Sequence, residues 1–222
     1  MIADLAIVLV AAGSSTRMGF PKLWTDVCGA PLVARAVSAA RSVASAELVL
    51  VVSGDRLREA SALGVNVVAG GARRRDSVTA GMRATSADWL AIHDAARALA
   101  PPDLFHRGLD AARTTGAAIP VLPLKDTIKH VRNGHVVGTP PRAEHFAVQT
   151  PQIFRRDLLE RALASTDDDM TDEAALLEQL GVRVATFDGD ERAFKVTTPF
   201  DFKLAGFILT LSLPIGKDPS SA

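Results

Sequence analysis

Leu5-Ala6-Ile7-Val8-Leu9-Val10 is apolar at every position, with no polar residue to mark an outer face. Such a run predicts a strand covered on both sides. Behind it, short β-branched runs alternate with longer stretches of helical period. Strands are predicted over 47–52, 65–69, 89–93 and 116–121, and helices over 31–43, 55–63, 76–85 and 102–114. Pro31 falls in the first turn of its helix, where the missing N–H costs nothing. The rhythm predicts an α/β fold: one doubly wound, mostly parallel, Rossmann-like sheet in a single domain over 1–222.

The rhythm breaks after Pro123. Two strand-like runs, 127–131 and 135–137, flank Asn133-Gly134, a pair suited to the positive φ angles of a tight turn. The predicted hairpin lies within about 124–147. A hairpin inserted in a parallel sheet must bury its apolar side somewhere, and either a lid or an arm on a second subunit satisfies that need. The main pattern then resumes, with helices predicted over 155–165, 171–180 and 199–211 and strands over 183–187 and 193–196. The stretch 214–222 is polar and rich in breakers, and is expected to fray.

Charge narrows the choice of partner. There are 25 Lys and Arg against 25 Asp and Glu, so the chain exerts no global pull on nucleic acid or on an anionic membrane. An anion site must therefore be a local cluster. The one cysteine, Cys28, excludes a disulfide within the chain and is expected to fill space rather than react. The first apolar run is too short for a signal peptide or a membrane span and has no basic segment before it, which points to the cytoplasm.

In open α/β sheets, ligands bind beyond the carboxyl ends of the strands. The loop after the first strand reads Ala11-Ala12-Gly13-Ser14-Ser15-Thr16-Arg17-Met18-Gly19-Phe20-Pro21-Lys22. It matches neither G-x-G-x-x-G nor the P-loop pattern, since Gly13 and Gly19 are one residue too far apart and Phe20 follows. Its small residues nevertheless let the backbone approach phosphate oxygens, and Arg17 and Lys22 supply a planar fork and a point charge. An ordinary strand-to-helix turn with solvated charges would have the same composition. No Cys/His cluster has zinc spacing.

Further motifs follow in order. They are Gly70-Gly71-Ala72-Arg73-Arg74-Arg75-Asp76-Ser77-Val78, His93-Asp94-Ala95-Ala96-Arg97, Asp126-Thr127-Ile128-Lys129, Gln149-Thr150-Pro151-Gln152-Ile153-Phe154, Thr171-Asp172-Glu173-Ala174 and Phe194-Lys195-Val196-Thr197. Together with the first loop they resemble the 2-C-methyl-D-erythritol 4-phosphate cytidylyltransferase family over nearly the whole chain. Ribitol-5-phosphate cytidylyltransferase is a close sibling that shares most of them.

The resemblance implies that CTP and a polyol phosphate give a CDP-polyol and pyrophosphate, with Mg²⁺ held mainly through the CTP phosphates. It implies a homodimer in which the hairpin embraces the partner. Arg17, Lys22 and Lys195 match the family's catalytic cations. Ala11, Ala12, Gly13, Ser14, Ser15, Gly70, Gly71, Ser77, Asp94 and Ala95 match its nucleotide site. Asp94, Arg97, Thr150 and Thr171 would meet the polyol phosphate from one subunit, and Thr127 and Arg142 from the partner's arm. Asp94 would touch polyol hydroxyls or a bound metal, and Arg97 would face the substrate phosphate.

Several of these residues carry plainer readings. Asp94, Ser77 and Thr171 could each cap a helix, and Lys195 could be a surface lysine at a strand edge. His93 reads as a packed strand-end residue. One arginine of Arg73-Arg74-Arg75 is expected to support the loop while the others are solvated. The chain also departs from the family pattern. Ala98 stands where Pro is usual and Ala193 where Asn is usual, a glycine near Ser15 is missing, and the 17–22 segment is short. These departures leave a non-catalytic CTP-binding paralogue as a third reading.

Overall fold

The computed structural model describes residues 2–13, 18–167 and 172–212. Its spine is β1 (Ile2–Val10), the strand announced by the first apolar run. Leu5 through Leu9 are completely buried, because both faces of β1 are covered. Ala6 and Val8 point into one core with Val49, Val51, Val78 and Leu90. Leu5 and Ile7 point the other way, against Leu104, Phe105 and Leu109. Leu9 packs on that second face too, with Leu32, Val33 and Val37. A period of two thus sorts one uniformly apolar run into two cores. Each fully buried Leu or Ile contributes about 2 kcal/mol of transfer free energy.

The other main elements are α1 (Leu32–Ser42), β2 (Ser45–Val52), α2 (Leu57–Ser61), β3 (Asn66–Ala69), α3 (Arg74–Arg83), β4 (Trp89–Asp94), α4 (Pro102–Thr115) and β5 (Ala117–Pro123). After them come β6 (His130–Arg132), β7 (His135–Gly138), β8 (Phe146–Val148), β9 (Gln152–Arg155), α5 (Arg156–Ser165), α6 (Glu173–Gln179), β10 (Ala185–Asp188) and α7 (Pro199–Ser212). The sheet runs β3-β2-β1-β4-β9-β5-β10, with β8 also on β5. β1 pairs in parallel with β2 on one side and β4 on the other, which makes their carboxyl ends the topological switch point. The doubly wound, mostly parallel sheet expected from the sequence is therefore present.

Four local expectations are corrected. β9 lies antiparallel between β4 and β5, and neither β9 nor β8 follows from the alternation of short apolar runs. The predicted strand over 193–196 is instead a 3₁₀ turn, Glu191–Ala193, followed by an extended strap. It forms no ladder because side chains take its carbonyls: Arg97 Nη1 donates to Ala193 O at 2.7 Å and Lys22 Nζ to Val196 O at 2.6 Å. Helix α6 is capped by Asp172, whose carboxylate accepts from the Ala175 N–H at 3.1 Å; Thr171 lies outside the described residues. Cys28 is exposed at φ 55° and fills no core.

The hairpin forms as expected. β6 and β7 pair antiparallel around Asn133 (φ 48°) and Gly134 (φ 77°), the left-handed pair of a tight turn. It makes a two-stranded sheet of its own, apart from the main one. The expected fraying segment, 214–222, lies outside the described residues.

Candidate active site

Above the switch point opens a cavity of about 330 Å³, lined among others by Ala11, Ala12, Gly13, Gly71, Ser77 and Asp94. Among the described residues, four cationic side chains (Lys22, Arg73, Arg74 and Lys195) line it against one carboxylate, Asp94. A chain of zero net charge thus concentrates positive charge in one concave place, as a polyanion site requires.

The first loop enters the cavity directly from β1, with the Ala11 N–H still donating to Val51 O at 2.7 Å. Ser14, Ser15 and Arg17 lie outside the described residues. Opposite, Gly70-Gly71 turns β3 into α3. A Cβ on Gly70 would sit 2.5 Å from Ser77 Oγ and 2.8 Å from the Ala12 Cβ, and one on Gly71 would sit 2.3 Å from the Asp76 Cβ. The two glycines therefore let the nucleotide-side loops close on each other. Gly71 and Ser77 face the cavity, while Gly70 supports it from behind. Ser77 is inside α3 and is not its cap; Asp76 reaches back to the Arg73 N–H at 3.0 Å.

Asp94 ends β4 and does not cap a helix. It is 6% exposed, and its oxygens are divided between cations. Lys195 Nζ lies 2.7 Å from Oδ2, while Arg74 Nη1 donates to Oδ1. Burial would push its pKa up, but Arg74 and Lys195 outweigh that and hold the carboxyl well below the usual range. Thr150 Oγ1 accepts from the Asp94 N–H at 3.0 Å and meets His93 Nδ1 at 3.0 Å. Burial lowers His93 to about 4, so it stays neutral, packed edge-on against Phe105. It is packed at the strand end, as expected. Ala95 is buried with its N–H on Val10 O, and it is Ala96 that lines the cavity.

Arg97 turns inward. Besides Ala193 O, its Nη2 reaches Val148 O at 3.4 Å, and its Nε finds no hydrogen-bond partner among the described residues. Neither Arg97 nor Thr150 lines the cavity. Both hold the walls, Thr150 beneath Asp94 and Arg97 beneath the strap that carries Lys195. Gln149 grips the same strap by a pair of bonds at 3.0 Å, Nε2 to Asp190 O and the Asp190 N–H to Oε1. Thr127 and Arg142 are exposed on the arm and contribute nothing to the cavity of their own chain.

Two residues were not singled out from the sequence. Arg74 lies between Asp94 and Glu173, with Nε 3.2 Å and Nη2 3.0 Å from the two Glu173 oxygens. Glu173 is 3% exposed, and burial raises its pKa despite the arginine. The signal was available: Glu173 shares the buried face of α6 with Ala174, Leu176 and Leu177. A carboxylate in phase with an apolar stripe needs a cation opposite it. The expectation that the other arginines of the run are solvated is also corrected. Arg73 forks onto Asp76 in the first turn of α3, and Arg75 Nη2 reaches across to α5 and donates to Leu163 O at 2.6 Å.

Comparison with known proteins gives one consistent result. Residues 5–211 match the family model of 2-C-methyl-D-erythritol 4-phosphate cytidylyltransferase. The chain is 46% identical to the protein of that name from Rhodococcus jostii, over 88% of this chain and 90% of the relative. It is 44% identical to the one from Nocardia farcinica, over 93% and 94%. The crystal structure of the Thermus thermophilus protein of that name superposes with a TM-score of 0.81 at 33% identity, covering 91% of this chain and 98% of the other.

Proposed function

The chain belongs to the 2-C-methyl-D-erythritol 4-phosphate cytidylyltransferase family, and we propose that its pocket transfers CMP from CTP to the phosphate of 2-C-methyl-D-erythritol 4-phosphate. It is a nucleotidyltransferase of the non-mevalonate route to isoprenoid precursors. A phosphate oxygen of the polyol attacks the α-phosphorus of CTP, the bond to the β-phosphate oxygen breaks, and pyrophosphate leaves. The nucleophile is already ionised at neutral pH, so no general base is needed. What the reaction demands is that two polyanions meet and that developing charge is stabilised.

The observation that supports this reading is the cavity itself, with four cations around one ionised carboxylate among the described residues at the switch point. In the proposed arrangement Lys22, with Arg17 of the same loop, holds the triphosphate. Lys195 meets the α-phosphate from the opposite wall, and Gly71 and Ser77 border the cytosine. Asp94 accepts from substrate hydroxyls.

Among the described residues no group of three or more His, Cys, Asp or Glu could cage a metal ion, and Asp94 is already shared by Arg74 and Lys195. That donor set fits a Mg²⁺ delivered with CTP and held through its phosphates, where it would neutralise charge on the triphosphate.

The arm supports a homodimer. Val131, Val136, Val137 and Phe146 are 48–61% exposed on it, and Thr127 and Arg142 lie outside their own cavity. A partner's arm would cover the apolar side and carry both residues to the polyol phosphate. No helix among the described residues is long and apolar enough to cross a membrane, and the cytoplasm is the proposed location.

Purified protein with Mg²⁺ and CTP is expected to release pyrophosphate with 2-C-methyl-D-erythritol 4-phosphate, at a kcat/KM well above that with ribitol 5-phosphate. The reverse preference would move the proposal to the sibling activity. CTP binding by calorimetry without turnover on either substrate would leave a non-catalytic paralogue.

A further inference from the structure

Two cations of very different freedom touch Asp94, while a third, Arg97, stands off with its Nε 4.0 Å from Oδ2. Arg74 touches it with one guanidinium nitrogen while two others fork onto Glu173. The Arg74 side chain is 25% exposed and that of Glu173 is 3% exposed. If Arg74 swung away, both carboxylates would lose their shared cation, and Glu173 would be left charged in an apolar setting. Lys195 touches Asp94 by a single contact, and its side chain is 39% exposed. Its ammonium can exchange that contact for water or for phosphate oxygens with little penalty.

We propose that Arg74 and Glu173 are positioning residues that decide which cation Asp94 gives up: Glu173 locks Arg74 onto Oδ1, so that the entry of substrate releases Lys195 from Oδ2. This rests on the functional reading above. The released lysine is then free for the α-phosphate, and the vacated oxygen becomes the acceptor offered to a substrate hydroxyl. Arg74 stays behind, keeping Asp94 ionised and aimed. The pair also ties together α3, β4 and α6, three elements that meet at this corner of the site. The resting contact between Lys195 and Asp94 is thus a holding position, and the Arg74–Glu173 fork is the fixed part.

The test replaces the buried pair as a unit, R74M/E173L, so that no orphan charge remains and the fold survives. Two quantities are read. One is the rate at which Lys195 is acylated by an amine-reactive anhydride, followed by mass spectrometry and normalised to the exposed Lys203. The other is the steady-state kinetics. With Arg74 gone, Lys195 keeps the direct contact to Asp94 while Arg97 Nε stays 4.0 Å away, and acylation of Lys195 is expected to slow at least threefold. The KM for the polyol phosphate is expected to rise and kcat to fall, each about tenfold, at an unchanged melting temperature; R74K should recover part of both.

A merely structural pair would move the melting temperature and leave Lys195 acylated at the wild-type rate, which overturns the proposal. If the double variant does not fold, E173Q keeps the shape and loosens the fork, and the same two readouts apply with the same signs. A wild-type protein that releases no pyrophosphate overturns the functional reading, and the acylation rate then decides the role of the pair on its own.

Discussion

Asp94 and Val136 belong to the same chain and live in opposite conditions. Asp94 is 6% exposed, and each of its oxygens is met by a cation of its own chain. Val136 is 61% exposed on a hairpin whose apolar neighbours Val131 and Val137 are also in solvent. At the switch point, burial has been matched by charge pairing and backbone hydrogen bonds. On the arm, hydrophobic area has been left uncovered. The difference teaches that the cavity's charged wall is organised within one chain, whereas the arm leaves apolar area that, on the proposed reading, a partner's arm covers.

The sharpest way to break this comparison is to remove a pocket cation. Lys195→Ala is expected to lower kcat by about 100- to 1,000-fold, with the protein still folded by circular dichroism. Lys22→Ala should behave alike. Full activity per folded molecule in either variant would remove that lysine from the transition state.

Acid is the next probe of the buried region. His93 is held near 4 in the fold against an ordinary 6.5, so between those values the unfolded chain binds the extra proton and the native state does not. Stability is therefore complete above pH 6.5 and declines as the pH falls towards 4, by up to about 3 kcal/mol from this one group. Urea titrations across this range should show the slope, and His93→Asn should flatten it. An unchanged slope in the variant would mean that His93 is not the group responsible.

The arm is probed by complementation. Arg142→Ala should raise the KM for the polyol phosphate about tenfold, roughly the 1.4 kcal/mol expected of one charge-assisted contact, while CTP affinity is spared. Mixing it with Asp94→Asn should then restore activity. Random exchange makes half the dimers mixed, each with one intact site of its two, so about a quarter of all sites recover. No recovery on mixing would show that each cavity is completed within its own chain.

The smallest contrast sets a carboxylate with two contacts against one exposed hydroxyl. Asp172→Ala removes the α6 cap and the acceptor of buried Gln152 Nε2, 2.8 Å from Oδ2, and should cost at least about 1 kcal/mol, seen as a fall of about 2 °C or more in melting temperature. Thr139→Ala removes only an exposed contact from Lys129 on the arm and should cost less than about 0.5 kcal/mol.

Much of this architecture was legible in the chain. The uniform apolarity of 5–10 fixed a doubly covered strand, and Asn133-Gly134 fixed the hairpin turn. The cationic, glycine-lined loop led to the cavity. What escaped was non-local. β9 is a short run whose antiparallel place depends on the strands on either side of it. The residues 193–196 have the β-propensity of a strand, but Arg97 and Lys22 claim the carbonyls a ladder would need. Arg97 and Thr150 were placed by motif at the substrate, and in the fold they brace the walls behind it. Arg74 and Glu173 are 99 positions apart, so only the folded chain shows that one explains the other.

The strap that carries Lys195 is held at Asp190, Ala193 and Val196, and at each point the bond is made to its main chain. A peptide carbonyl is present whatever side chain stands beside it. The geometry of the lysine is therefore insulated from sequence drift along its own segment, which is how alanine can stand at 193, where the family usually carries asparagine, with the strap still fastened. Variation should be tolerated at the strap's side chains other than Lys195 and the turn-capping Asp190, and punished at Gln149, Arg97 and Lys22, distant residues whose side chains hold it.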